Sequence, residues 1–116
     1  MNESIYKILP ATEWQQALDA GTFTGSEIDR VDGYIHFSTA AQVRETAAKH
    51  FAGRTGLVLL TVDPDCCAGD ALRWEPSRGG QLFPHLYGAL DTACVTRADP
   101  LEPDGAAHRF PDHVPP

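Results

Sequence analysis

The sequence predicts an α+β domain, and three observations carry that prediction. Two segments with helical period stand in the first half of the chain, and segments with strand period fill most of the rest. The run Leu57–Val62 is apolar on both faces, as a central buried strand must be. A length of 116 residues fits one domain, and 42% hydrophobic with 22% charged residues is an ordinary globular balance.

In order along the chain, residues 4–9 alternate as a strand that Pro10 ends. Thr12 then reads as a helix N-cap, with Gln15 three residues on and Trp14 and Leu18 one turn apart. Gly21 closes that helix as a left-handed C′ residue. Residues 22–32 are polar and acidic and read as a loop long enough to rim a pocket. Gly33 opens a strand over 34–38, with Ile35 and Phe37 on one face and Tyr34, His36 and Ser38 on the other. Thr39 and Gln42 repeat the capping-box spacing before a helix over 40–52, whose apolar stripe is Val43, Ala47 and Phe51. After Leu57–Val62, Asp63-Pro64 stops the strand and 66–70 turns the chain. Residues 71–75 form another strand, 76–80 a Gly-rich loop, 82–90 an apolar segment interrupted by Pro84 and Gly88, and 93–98 a last strand. From Pro100 the prolines predict an extended or disordered tail, so the domain is expected over 1–102 and the tail over 103–116.

Sixteen acidic against nine basic residues give a charge of −7, which argues against extended nucleic acid or an anionic membrane as partner. No apolar run is long enough to span a bilayer, and the first ten residues lack the basic start and apolar stretch of a signal peptide. The expectation is cytoplasmic. Cys66 and Cys67 are adjacent and Cys94 stands alone, an odd count that implies reduced thiols rather than a disulfide framework or a zinc knuckle.

Three places could carry chemistry. His36 shares a strand face with Tyr34 and Ser38, which would bind a ribose, phosphate or carboxylate if that face lines a cleft. The alternative is a half-buried sheet histidine bonded to a carbonyl. The segment Phe83-Pro84-His85-Leu86-Tyr87-Gly88 is a rigid carrier of adjacent His and Tyr, or else a turn that seals the core and exposes His85. Trp74-Glu75 offers a large aromatic face and a carboxylate that could act beside the histidines, or one that pairs with Arg73 or Arg78 on the surface. Two histidines and a carboxylate can also be a metal triad, but with no short ligand spacing no metal is predicted. A basic group of Arg44, Arg73 and Arg78 could hold a small phosphate ligand.

The elements Ile5-Tyr6-Lys7-Ile8, Asp32-Gly33-Tyr34-Ile35-His36-Phe37-Ser38-Thr39, Leu72-Arg73-Trp74-Glu75 and Phe83-Pro84-His85-Leu86-Tyr87-Gly88, with Trp14 and the 57–63 strand, resemble the small bacterial family of unknown function DUF952. The resemblance implies a compact ADP-ribosyltransferase-like fold, a bent or split, mostly antiparallel sheet with two short helices and NAD in its crevice. It further implies a nucleotide- or NAD-utilising transferase or hydrolase with His36, Glu75 and His85 as catalytic residues. Ser38 and Thr39 would support the ribose, and Trp74 or Tyr87 would stack on nicotinamide. The carboxylate departs from the pattern, because Glu75 is not on the last strand and Glu102 follows Pro100. A non-catalytic module binding a small ligand in the same cleft is the other reading.

Overall fold

A computed structural model describes residues 3–67, 69–105 and 107–115 of the chain. Strand β1 (Ile5–Pro10) leads into helix α1 (Ala11–Ala20) and the short β2 (Thr22–Phe23). Helix α2 (Glu27–Asp32), β3 (Ile35–His36) and helix α3 (Ala40–His50) follow. Six strands complete the chain: β4 (Leu57–Val62), β5 (Leu72–Pro76), β6 (Leu82–Leu86), β7 (Leu90–Asp91), β8 (Val95–Asp104) and β9 (Ala107–Arg109). The architecture is α+β, and among the described residues every strand pairing is antiparallel.

The sheet is split. One part runs β1-β4-β8-β9, another β3-β6-β5, and β2 pairs with β7. A bridge between Tyr6 and Ser38 joins the end of the β3 segment to β1, so the two larger parts curl toward each other. Strand β4 is central, with β1 and β8 on its edges and a core on each of its faces, which explains why both faces are apolar. Leu60 and Val62 pack on one side with Ile5, Leu9, Ile35 and Phe37. Leu57 and Leu59 pack on the other with Tyr6, Ile8 and the α3 residues Val43 and Ala47. Each fully buried Leu, Ile, Val or Phe side chain among these is worth about 1.5–3 kcal/mol of transfer free energy.

Several local expectations hold. Gly21 ends α1 at φ 84°, and Thr39 N donates to Gln42 Oε1 at 3.0 Å to cap α3. Others are corrected. Helix α1 begins at Ala11, directly after Pro10, and Thr12 lies inside it without a capping role. Residues 22–32 are not a loop: Ser26 and Asp29 form a capping box, Ser26 N donating to Asp29 Oδ2 at 2.9 Å, and α2 follows, so the described residues hold three α-helices rather than the two expected.

Cys66 and Cys94 are joined in a disulfide, and Cys67 is the free thiol. An odd count left one cysteine over rather than excluding a bridge, and the thiol argument for a reducing compartment falls with it. No described helix is long and apolar enough to cross a membrane.

The proline-rich end also departs from expectation. Strand β8 runs through Pro100 and Pro103, pairing with β4 up to Leu101 and with β9 from Glu102. Each proline therefore faces a partner on one side only, where a missing N–H is tolerated. Val114 is buried in the α3-side core, and Arg44 donates to the carbonyls of Val114 and Pro115.

Candidate functional site

The site begins with register. His36 on β3 and His85 on β6 are direct cross-strand partners, and their ring centroids lie 5.5 Å apart, edge to face. Opposite residues on an antiparallel pair share one face, so both rings are delivered to the same side of the sheet. Both line a cleft of about 860 Å³, within the range of small-molecule sites.

Each histidine is held by a carboxylate. His36 Nδ1 lies 2.6 Å from Asp29 Oδ1 and Nε2 lies 2.9 Å from Asp32 Oδ2, both acids coming from α2. Both ring nitrogens of His36 thus face a carboxylate oxygen, which fixes the orientation of the ring. His85 Nδ1 lies 2.8 Å from Glu75 Oε1 on β5, and the same oxygen accepts from Tyr87 OH at 2.7 Å. Among the described residues His85 Nε2 has no partner, which leaves it as the ring atom available to a ligand. Tyr34 stacks on His85 at 4.1 Å and lies 4.7 Å from His36, fixing both rings from the strand's entry.

Asp29 is the hub of this arrangement. It is 2% exposed and accepts from Lys7 Nζ at 2.9 Å, from His36 N at 3.2 Å and from Ser26 N. Burial alone would push its carboxyl up, but the hydrogen bonds from His36 and Lys7, with the Lys7 charge, hold it down at about 2. Burial lowers the Lys7 ammonium, and Asp29 opposes that shift. On the other dyad, the hydrogen bonds from Tyr87 and then His85 hold Glu75 below the usual carboxylate range. The Glu75 bond raises the Tyr87 phenol in return.

The expected residues fall into two groups. His36, His85, Glu75 and Tyr87 come together, with Ser38 at the cleft wall bonded to Thr46 Oγ1 at 3.0 Å. Thr39 is spent on the α3 cap. Trp74 points the other way along β5, is 47% exposed, and lines a separate hollow with Cys67 and Leu72. Arg44 is tied to the chain end and Arg73 lies over the Tyr87 ring at 4.6 Å, so those two do not form a common basic pocket; the Arg78 side chain is outside the described residues. Lys7, Asp29 and Asp32, which hold the site, carry no spacing signal that marks them as its residues. The spacing Ser26-x-x-Asp29 is a capping-box signal that would have placed a helix there.

The residues that carry the site lie within a stretch that comparison with known proteins covers almost entirely. Residues 8–98 match the family described as protein of unknown function, DUF952. No curated protein matches the chain. The chain is similar to the crystal structure of protein CC0527 from Caulobacter crescentus, a structural-genomics target, at 46% identity over 96% of this chain and 97% of that one, with a TM-score of 0.91. It is similar also to the solution structure of CC0527, at 48% identity over 90% of each chain and a TM-score of 0.78. This chain belongs to the DUF952 family.

Proposed function

We propose that the cleft binds a nucleotide-class small molecule and that the protein is an ADP-ribosyltransferase-like transferase or hydrolase acting on NAD or a related ADP-ribose compound. The single observation that supports this reading is the opposed pair His36 and His85, each backed by a carboxylate, on the wall of one cleft. With Nδ1 donating to Glu75, His85 Nε2 is oriented to take or give a proton. Asp32, half exposed at the cleft, is the carboxylate nearest in kind to the one that glycosidic cleavage needs, since positive charge develops at the anomeric carbon. A ligand hydroxyl would replace Asp32 on His36 Nε2, leaving Asp29 to hold the ring.

The residues fit NAD in part. His36 and Ser38 line the cleft as a ribose site requires, whereas of the expected stacking residues Trp74 lines a separate hollow and Tyr87 is bonded to Glu75, the ring stacked on His85 being Tyr34. A cytoplasmic setting, where such ligands are at hand, belongs to the same reading. The test is release of nicotinamide from NAD by the wild-type protein, His85→Ala and His36→Ala. Turnover lost in both variants supports the reading, and no release above the variants removes it.

A second reading, a non-catalytic binding module, is favoured by how fully the acids are engaged: Glu75 serves both His85 and Tyr87, and Asp29 both Lys7 and His36. It calls for saturable binding with no chemical change.

A further inference from the structure

We infer that His50 and Arg54 form an anion subsite at the far end of the cleft, suited to the phosphates of a nucleoside diphosphate. The inference deepens the proposed function and rests on reading the cleft as a ligand site. Helix α3 turns Val43, Thr46 and His50 toward the cleft, three and four residues apart and therefore on one stripe. The helix rises about 15 Å from Ala40 to His50. His36 stands near its start, just before the Thr39 cap, and Arg54 follows its end. One wall thus separates a reacting end from a basic end by the length of an extended ligand rather than of a single ring.

Among the cations of the cleft, whose lining also holds the carboxylates Glu13, Glu27 and Asp32, charge bookkeeping singles out the basic end. Lys7 is committed to Asp29, His36 to Asp29 and Asp32, and His85 to Glu75. Outside it, Lys49 pairs with Glu45 and Arg44 serves two carbonyls. Among the described residues neither His50 nor Arg54 has a carboxylate partner. The α3 carbonyls account for a cation at His50, but Arg54 lies beyond the helix end and is not needed there.

Arg54 is nevertheless held in place. Its N donates to Phe51 O at 3.0 Å, its carbonyl accepts from His108 Nε2 at 2.8 Å, and its guanidinium lies 5.1 Å from the Phe51 ring centroid. None of these contacts uses a guanidinium N–H. The fork is positioned with its donors open, which is what bidentate phosphate recognition requires. In a chain of net charge −7 this is a local site and not a general attraction for anions.

Amide NMR titration with inorganic pyrophosphate, in phosphate-free buffer, tests the subsite on the wild-type protein, Arg54→Gln and Lys49→Gln. Saturable shifts are expected at Gly53, Arg54 and Thr55, with Arg54→Gln weakening the response about tenfold or more and Lys49→Gln by less than about twofold. No saturable shift there at millimolar pyrophosphate, or equal weakening by both variants, overturns the subsite. ADP-ribose separates the two readings. If ADP-ribose shifts 34–38 and 83–88 equally in wild type and Arg54→Gln, the subsite alone fails. If pyrophosphate binds at Arg54 but ADP-ribose leaves the histidines untouched, the subsite stands and the proposed function fails.

Discussion

Replacing Asp29 by Asn tests the hub on which both the fold of α2 and the placement of His36 depend. The carboxylate is buried and meets Ser26 N at 2.9 Å, Lys7 Nζ at 2.9 Å, His36 N at 3.2 Å and His36 Nδ1 at 2.6 Å. Asparagine keeps the volume but has one acceptor oxygen and no charge, so the buried Lys7 loses its counter-ion. Removing one partner of a buried pair costs about 3–5 kcal/mol, and the retained acceptor places this case near the lower end, about 3 kcal/mol. Unfolding entropy of roughly 2.1 cal/mol/K per residue over 116 residues amounts to about 0.24 kcal/mol per kelvin, so Tm should fall by about 12 °C. Thermal and urea unfolding of Asp29→Asn, Lys7→Met and the double variant measure this directly. The double variant should be better than the sum of the singles by about 2 kcal/mol, because it removes the stranded charge. A loss below about 1 kcal/mol in Asp29→Asn, or strict additivity in the cycle, would refute the account of Asp29 as a charged hub.

The same carboxylate sets an acid limit. Because Asp29 is held at about 2 from an ordinary 3.8, its stabilisation is fully present above pH 4 and is lost as pH falls toward 2. The stability gap between wild type and Asp29→Asn should therefore shrink by about 2 kcal/mol over that interval in urea unfolding, and a constant gap would contradict the assignment. Opening the Cys66–Cys94 bridge, whose partners are 28 residues apart, should cost about 3–4 kcal/mol, read as the difference in urea midpoint between wild type and Cys66→Ser/Cys94→Ser. Val114→Ala should lose about 2 kcal/mol, whereas a disordered chain end would lose nothing.

Much of this architecture was legible because its signals are local. Capping at Thr39 and Gln42, the left-handed Gly21 and the doubly apolar Leu57–Val62 each follow from a few neighbouring residues. Two misses were local, the Ser26-x-x-Asp29 capping box and the start of α1 at Ala11, and the others come from long-range pairing. Residues 22–32 look uniformly polar because Asp29 is withdrawn from water to meet Lys7 of β1 and His36 of β3, while Asp32 stays partly exposed. The prolines of β8 suggest a tail until β4 and β9 are known to flank it on alternate sides. The Cys66–Cys94 bridge needs a tertiary meeting that no spacing announces. At the site, His36 and His85 were legible as residues, but their opposition across β3 and β6, and the acids that hold them, appear only with the register.

Whether the cleft takes a nucleotide is read from an amide NMR titration of the isotope-labelled protein with NAD, ADP-ribose and nicotinamide. Saturable shifts are expected to concentrate on residues 34–39 and 83–88 and to diminish in His85→Ala. Absence of any shift there at millimolar ligand would contradict a nucleotide site and leave the paired histidines with a structural role alone.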